Sequence, residues 1–399
     1  MRISTSGMHY NALTAMLQQQ SVLSKIQNQI ALGKRVNTPA DDPAAAVHIL
    51  ELQRALQESD QYKTNADIAT NRLSLEEQSM QDVGTLLTRV RTLAVQANNA
   101  PLDDQNRRMI AIELQERLQE LVDIANRRDA HGEYLFSGYA TRTQPFSNTA
   151  GGVSYYGDQG NRMLQVGPEQ RVADSHSGYD VFLKIPEGNG TFVLGTAAAN
   201  TGNGILGAGS VVNRAAWQAA AGDYTVRFTS DTGDYEILDS ANDPVATGVY
   251  TEGGAIEFNG IKFEMSGMPA TDDQFTVARS RSEDVFSTLQ GLIDSLEGTN
   301  APTQAHLHSH IGQALQQLET TEDHFLQVRA EIGARLSSLE AAESAREDRM
   351  LELKRVKSEL EDLDYAEAIT RMNQQLVGLQ AAQASYVQIA QLSLFNYLK

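Results

Sequence analysis

The sequence contains no cysteine. That excludes disulfide staples, thiolate metal sites and cysteine nucleophiles together. It holds one tryptophan and nine prolines in 399 residues. No proline falls between Ala44 and Ala100 or after Pro302, so both flanks are free to build long helices. No apolar run approaches the roughly 18 residues of a membrane-spanning helix. The start, Met1-Arg2-Ile3-Ser4-Thr5-Ser6-Gly7, lacks an apolar core and a small-residue cleavage site, so no cleaved secretory signal is expected. Positive charge is scarce: 32 Lys and Arg against 51 Asp and Glu give −19 at neutral pH. Broad electrostatic attachment to nucleic acid or to an anionic membrane is therefore disfavoured. A hydrophobic fraction of 41% is enough to build a core and argues against global disorder.

What is present is unevenly spread. Of 30 glycines, 22 lie between Gly132 and Gly267, and 17 of the 25 aromatics lie between Tyr134 and Phe275. Two helix-compatible flanks thus bracket a turn-rich, aromatic middle with the character of β-structure. In the first flank Met16, Leu23, Ile26 and Ile30 form one apolar stripe. Asp42 followed by Pro43 reads as an N-cap with proline at the first helical position. Leu73, Met80, Val83, Leu87, Val90, Ala94 and Ala97 then recur at helical steps. The run from Asn98 to Asp104 breaks that helix and caps another carrying Ile110, Leu114, Leu118, Leu121 and Ala125.

The last flank is more regular. Ile311, Leu318, Phe325, Ile332, Leu339, Arg346, Leu353 and Leu360 recur every seventh residue. The second seam position holds Ala314, Thr321, Val328, Arg335, Ala342, Arg349, Val356 and Leu363, which makes an imperfect coiled-coil seam. Its arginines predict a stretch that faces acidic groups or solvent. A helix from 304 to 363 would be about 90 Å long at 1.5 Å per residue, longer than the roughly 55 Å of a compact globule of this size. A second stripe, Ile369, Met372, Leu376, Leu379, Ala382, Tyr386, Ile389, Leu392 and Phe395, closes the chain. Apolar stripes at both ends need a partner, either each other or another subunit.

The expected fold class is α+β: a long α-helical coiled-coil rod formed by both flanks, with a central inserted β-rich domain. The expected divisions are 1–40, 41–135, 136–280, 281–363 and 364–399. Within the middle, Tyr224, Val226 and Phe228 alternate with Thr225, Arg227 and Thr229 as in a half-buried strand. Asn259-Gly260 suits a type I′ turn, which pairs Phe258 with Ile261 and Ile256 with Phe263.

Candidate chemistry is thin, and no catalytic, cofactor or metal site is expected. His306, His308 and His310 would share one face of a strand and could hold zinc, but on a helix His308 points away. They read as a solvated helix start. Gly202-Asn203-Gly204-Ile205-Leu206-Gly207 fits the dinucleotide fingerprint literally, but no βαβ pattern surrounds it. Asp41-Asp42 and Asp103-Asp104 precede helices, where capping and the helix dipole account for them. Ser154, Ser175 and His176 show no nucleophile-elbow spacing, and Asn189-Gly190-Thr191 is a glycosylation sequon by pattern only.

Three stretches carry a family resemblance. They are Arg2-Ile3-Ser4-Thr5 with the turn from Gly33 to Pro43, the run Gly132-Glu133-Tyr134-Leu135-Phe136-Ser137-Gly138, and the end from Leu363 to Leu398 with its Leu392-Ser393-Leu394-Phe395-Asn396-Tyr397-Leu398 finish. The chain resembles the flagellin-like hook–filament junction proteins of bacterial flagella, the hook-associated protein 3 family. Residues 139–280 resemble it only loosely. The resemblance implies terminal helices in an inner coiled coil, rod helices around them and the β middle facing outward. It implies a structural adaptor, not an enzyme, joining the hook to the filament by coupled folding and assembly of its terminal helices. The implied partners are further copies of itself, the first hook-associated protein, flagellin and an export chaperone. Its expected location is extracellular, after type III export through the flagellum. Met16, Leu23, Ile26, Ile30, Leu376, Leu379, Tyr386, Leu392 and Phe395 are the candidate assembly residues. A flagellin-type filament subunit is the alternative.

Overall fold

The computed structural model describes residues 5–99, 103–220 and 222–391. Helices α1 (Thr5–Leu32), α2 (Pro43–Ala97) and α3 (Asp104–Ala125) come first. Short strands follow: β1 (Phe146–Thr149), β2 (Gly152–Tyr155), β3 (Met163–Gln165) and β4 (Arg171–Ala173), then a π-helical turn at Tyr179–Leu183. Next are β5 (Ile185–Pro186), β6 (Phe192–Thr196), β7 (Ile205–Val211), α4 (Arg214–Ala219), β8 (Tyr224–Phe228) and β9 (Asp234–Leu238). Strands β10 (Pro244–Val249), β11 (Ala255–Phe258), β12 (Ile261–Ser266), β13 (Gln274–Arg279) and β14 (Ser282–Glu283) complete the middle. Helices α5 (Val285–Leu296), α6 (Gln304–Glu361) and α7 (Tyr365–Gln391) end the described chain. The fold is α+β, with helical flanks around a β-rich centre. Two compact units divide it: one of residues 1–64 and 342–399, the other of residues 65–341.

The 65–341 unit carries the larger core. Strands β10-β9-β8-β13-β6 form one antiparallel sheet and β11-β12-β7 a second. Tyr224, Val226 and Phe228 are buried while Thr225 and Arg227 are not, as the alternation requires. The Asn259-Gly260 turn has positive φ at both residues and sets Phe258 against Ile261 and Ile256 against Phe263. These side chains join Phe192, Trp217, Phe275 and Val277 in one apolar cluster. A second aromatic cluster ties strands to helices: the Phe182 ring lies 5.1 Å from Phe136, 5.4 Å from Phe146 and 5.7 Å from Phe325. Phe325 belongs to the seven-residue repeat of α6, so that seam faces the β-rich region as well as other helices. Its neighbours in the repeat, Ile311, Leu318, Ile332 and Leu339, are also buried. So are Leu73, Met80, Val83, Leu87, Val90, Ala94 and Ala97 of α2, and Ile110, Leu114, Leu121 and Ala125 of α3. Each of the larger side chains contributes about 1.5–3 kcal/mol, and the alanines less, an upper estimate because the unfolded chain is itself partly compact.

Candidate assembly surface

The smaller unit begins with α1 and is organised by how that helix stops. Gly33 has φ +67°, and Lys34 N–H donates to Gln29 O at 3.2 Å, a left-handed C-terminal cap. The chain then turns through residues 34–42. The Asp41 carboxylate accepts from the backbone N–H groups of Asn37 and Thr38 and pairs with Lys25 at 2.8 Å. Lys25 first, and then these amides, hold the Asp41 carboxyl well below its ordinary range. Asp42 caps α2, accepting from Ala45 N–H at 3.0 Å, and Pro43 opens the helix as expected.

The returning chain locks onto this turn. Arg35 N–H donates to Glu361 O at 2.7 Å, Leu363 N–H donates to Gly33 O at 3.0 Å, and the Arg35 guanidinium donates to Leu360 O at 2.8 Å. Glu361 pairs with Lys34 at 2.5 Å and with Lys357 at 3.3 Å. Burial alone would raise the Glu361 carboxyl, but the two lysines outweigh it and the net direction is down. Val36, Ala45 and Ile49 are buried here, with Leu360 packed on them.

From this turn α1 and α7 run antiparallel: Gly33 meets Leu363 and Tyr365, and Gln19 meets Gly378. Leu23 and Ile26 are buried, and Met16, Ile30, Leu376, Leu379 and Tyr386 are half-buried. Leu392 and Phe395 lie outside the described residues. The stripe read from the sequence is thus largely the seam between two helices of one chain. Ile369, read as part of it, is exposed, and Ala368 takes the buried place. The outward apolar residues are others: Tyr10, Leu13 and Leu17 on α1, and Tyr365, Ile369, Val377 and Val387 on α7. Tyr10 is 72% exposed and Leu17 58%. Steps of three and four from Tyr10 to Leu17 place the first three on one helical face. Their signal lay in the sequence as a second stripe beside the first.

In the 65–341 unit the histidine cluster departs from expectation. It is not a solvated helix start. His306 is buried between Thr303 Oγ1 at 2.7 Å and Ala197 O at 3.1 Å. His308 meets Asn98 Oδ1 at 2.6 Å, and His310 meets Ser295 Oγ at 3.3 Å. The reason is tertiary: the start of α6 lies under the strand region, where Ser309 Oγ accepts from Leu206 N–H at 3.0 Å. Burial, then Arg107, pushes the His308 pKa down; burial, then His306, does the same to His310. Among the described residues no group of three or more His, Asp or Glu is placed to hold a metal ion. The Gly202–Gly207 run is a turn leading into β7, with Asp273 accepting from Thr201 and Gly202 N–H. Asp103 caps α3 through Asn106 N–H at 2.8 Å, and Asn189 caps its own turn through Thr191 and Phe192 N–H. His176, unassigned in the sequence, sits within hydrogen-bonding distance of Glu76 at 2.8 Å and Glu331 at 3.2 Å.

A cavity of about 270 Å³ opens beside β14 and α5, lined by Glu283, Ser287, Thr288, His310 and Gln313 among others. Burial, then Glu187 and Asp284, pushes the Glu283 carboxyl up to about 7.

Comparison with known proteins places this geometry in a family. The model of the bacterial flagellin N-terminal helical region matches residues 3–141, and that of the C-terminal helical region matches residues 309–398. The flagellar hook-associated protein 3 of Escherichia coli is 27% identical over 100% of both chains. The crystal structure of FlgL from Xanthomonas campestris has a TM-score of 0.70 and 33% identity, covering 77% of this chain and 99% of that one. The flagellar junction protein FlgL from Legionella pneumophila has a TM-score of 0.69 and 30% identity, covering 79% of this chain and 100% of that one. This chain belongs to the flagellar hook-associated protein 3 (FlgL) family, within the wider group that shares flagellin's helical ends.

Proposed function

We propose that this chain is a structural adaptor at the hook–filament junction of the bacterial flagellum. It joins the hook, through the first hook-associated protein, to the flagellin filament, and several copies assemble there. The observation that carries this reading is the full-length likeness to hook-associated protein 3. The likeness to flagellins is weaker and less complete, 22% identity over 75% of this chain for that of Salmonella budapest, which favours a junction protein over a filament subunit.

The mechanism is burial on assembly. Met16, Leu23, Ile26, Ile30, Leu376, Leu379 and Tyr386 bring the two terminal helices together, and Leu392 and Phe395, outside the described residues, are further candidate assembly residues. Tyr10, Leu13, Leu17, Val377 and Val387 then pack against neighbouring subunits. Apolar burial drives the step, and a monomer that offers only part of that surface stays apart before export. Segments 1–40 and 364–399 form the inner coiled coil, 41–135 and 281–363 the surrounding helices, and 136–280 the outer domain. The role is assembly rather than catalysis. Export through the flagellar channel with a chaperone, and an extracellular location on the flagellum, complete the reading.

Deleting the gene tests it. Intact hooks, no filaments and abundant flagellin in the medium are expected by electron microscopy and immunoblot. Absence of flagellin everywhere would instead identify the filament subunit. Normal filaments would sink both readings. A chain truncated before Tyr365 is expected to fold yet not support filaments.

A further inference from the structure

One member of the α6 repeat breaks its pattern. Between Leu339 and Leu353 the seam position is Arg346, only 6% exposed. Its Nη2 pairs with Glu343 Oε1 at 3.1 Å. Its Nε and Nη1 are buried without a hydrogen-bond partner among the described residues. Leaving donors of a buried guanidinium unpaired is costly in an isolated chain, and an arriving acceptor relieves that cost. Arg346 also lines a recess of about 400 Å³ in the smaller unit, together with Lys63, Glu347, Met350, Leu351 and Lys354. Three of these six residues are cationic and one is anionic. Leu351, at the recess, is 67% exposed.

We propose that this recess receives an acidic side chain from a second copy of this chain. The guanidinium turns into the recess and the carboxylate accepts from its leftover donors, Lys354 complements the charge beside Lys63, which lies 4.0 Å from Glu343, and Met350 and Leu351 flank the stem. Charge complementarity selects the occupant. A chain of net charge −19 presents carboxylates to its neighbours, and like-charged copies need a cationic receptor where they meet. The recess suits one side chain rather than a whole helix. The proposal rests on the junction reading above, because that reading supplies neighbouring copies.

The test uses the full chain in a strain lacking its gene, with the wild-type chain as reference. Arg346→Met is expected to leave the isolated chain at least as heat-stable as wild type by circular dichroism. In the same strain the pairing of copies weakens about tenfold, as loss of one charge-assisted contact predicts, and filament-bearing cells fall below the wild-type number. Equal filament numbers overturn the proposal. So does a lower melting temperature for Arg346→Met, because a structural arginine then accounts for lost filaments. A photo-crosslinking residue in place of Leu351 reads the occupant directly. A crosslink to an Asp- or Glu-bearing segment of a second copy supports the proposal; a crosslink only within one chain, or only to another protein, overturns it. Failure of the wild-type chain to restore filaments sinks the junction reading instead, and the crosslink still decides the recess.

Discussion

The two compact units bury their apolar residues differently. In residues 65–341 Phe136, Phe146, Phe182, Phe228, Phe263, Phe275 and Phe286 are fully covered in one chain's core, while Tyr139 and Tyr156 stay exposed. In the other unit α1 and α7 bury a single seam and leave Tyr10, Leu13, Leu17, Val377 and Val387 to solvent. Both regions are rich in periodic apolar residues, so hydrophobicity alone does not separate them. The difference lies in layers. A sheet packed on helices covers each apolar face from two sides, whereas a pair of helices covers one stripe and leaves the rest. The larger sealed core of the first unit suits a body that folds alone. Incompleteness in the second suits a body that finishes folding on a neighbour.

The comparison breaks most visibly in the β-rich core. Phe228→Ala is expected to destabilise the 65–341 unit by about 3–5 kcal/mol, because a fully buried ring leaves a cavity. Trp217, the single tryptophan, is buried in that same cluster, so its fluorescence in a denaturant titration reports this unit specifically. Gly33→Ala addresses the other unit. A side chain there meets Tyr365 Oη at 2.8 Å and must adopt φ +67°, a cost of about 1–2 kcal/mol. Circular dichroism is expected to show an earlier helical transition while Trp217 fluorescence stays unchanged.

Glu283→Gln acts in the opposite direction. The folded carboxyl titrates near 7, above its unfolded value, so the folded state binds the proton more tightly. Its burial is free of penalty below the unfolded pKa, and stability is lost as pH rises toward about 7. The glutamine variant is therefore expected to be more stable by about 1 kcal/mol at pH 8, discounted for partial exposure, and no different at pH 4. Thermal melts at the two pH values check it. Asp41 and Glu361 carry the usual sign. Their depressed carboxyls stabilise the smaller unit above pH about 4, and that contribution is lost as pH falls further. Helical signal is expected to fall on acidification, with Lys25→Met removing part of the dependence. The smallest effect on the monomer is Leu17→Ala, within about 0.5 kcal/mol because the side chain is exposed. Filament restoration in a deletion strain is nonetheless expected to suffer, and that contrast sharpens the division between the units.

Much of this was legible in the residues. Helical and strand periods are local, so the repeat through Ile311 to Leu339, the stripe from Leu73 to Ala97 and the Phe258–Ile261 hairpin needed no distant information. Caps are equally local, and Asp42 and Asp103 act where their positions indicate. The resemblance at Gly33 to Pro43 likewise points to a turn that the structure fastens with ion pairs.

Tertiary structure decided the rest. Periodicity tells which residues share a face but not what covers that face. His306 reads as solvated because its own helix is polar there, yet Ala197, 109 residues earlier, closes over it. Arg346 reads as a seam residue turned toward acids or water, and the fold buries it with Nε and Nη1 unpaired among the described residues. Glu283 shows nothing in its neighbours that would mark it, because its raised pKa comes first from burial. At the termini the sequence determined that apolar stripes exist, and packing of α7 on α1 decided which stripe is spent within the chain. Local patterns follow from backbone geometry alone. Burial and the surface left for partners depend on contacts far apart in sequence, which only the folded chain assembles.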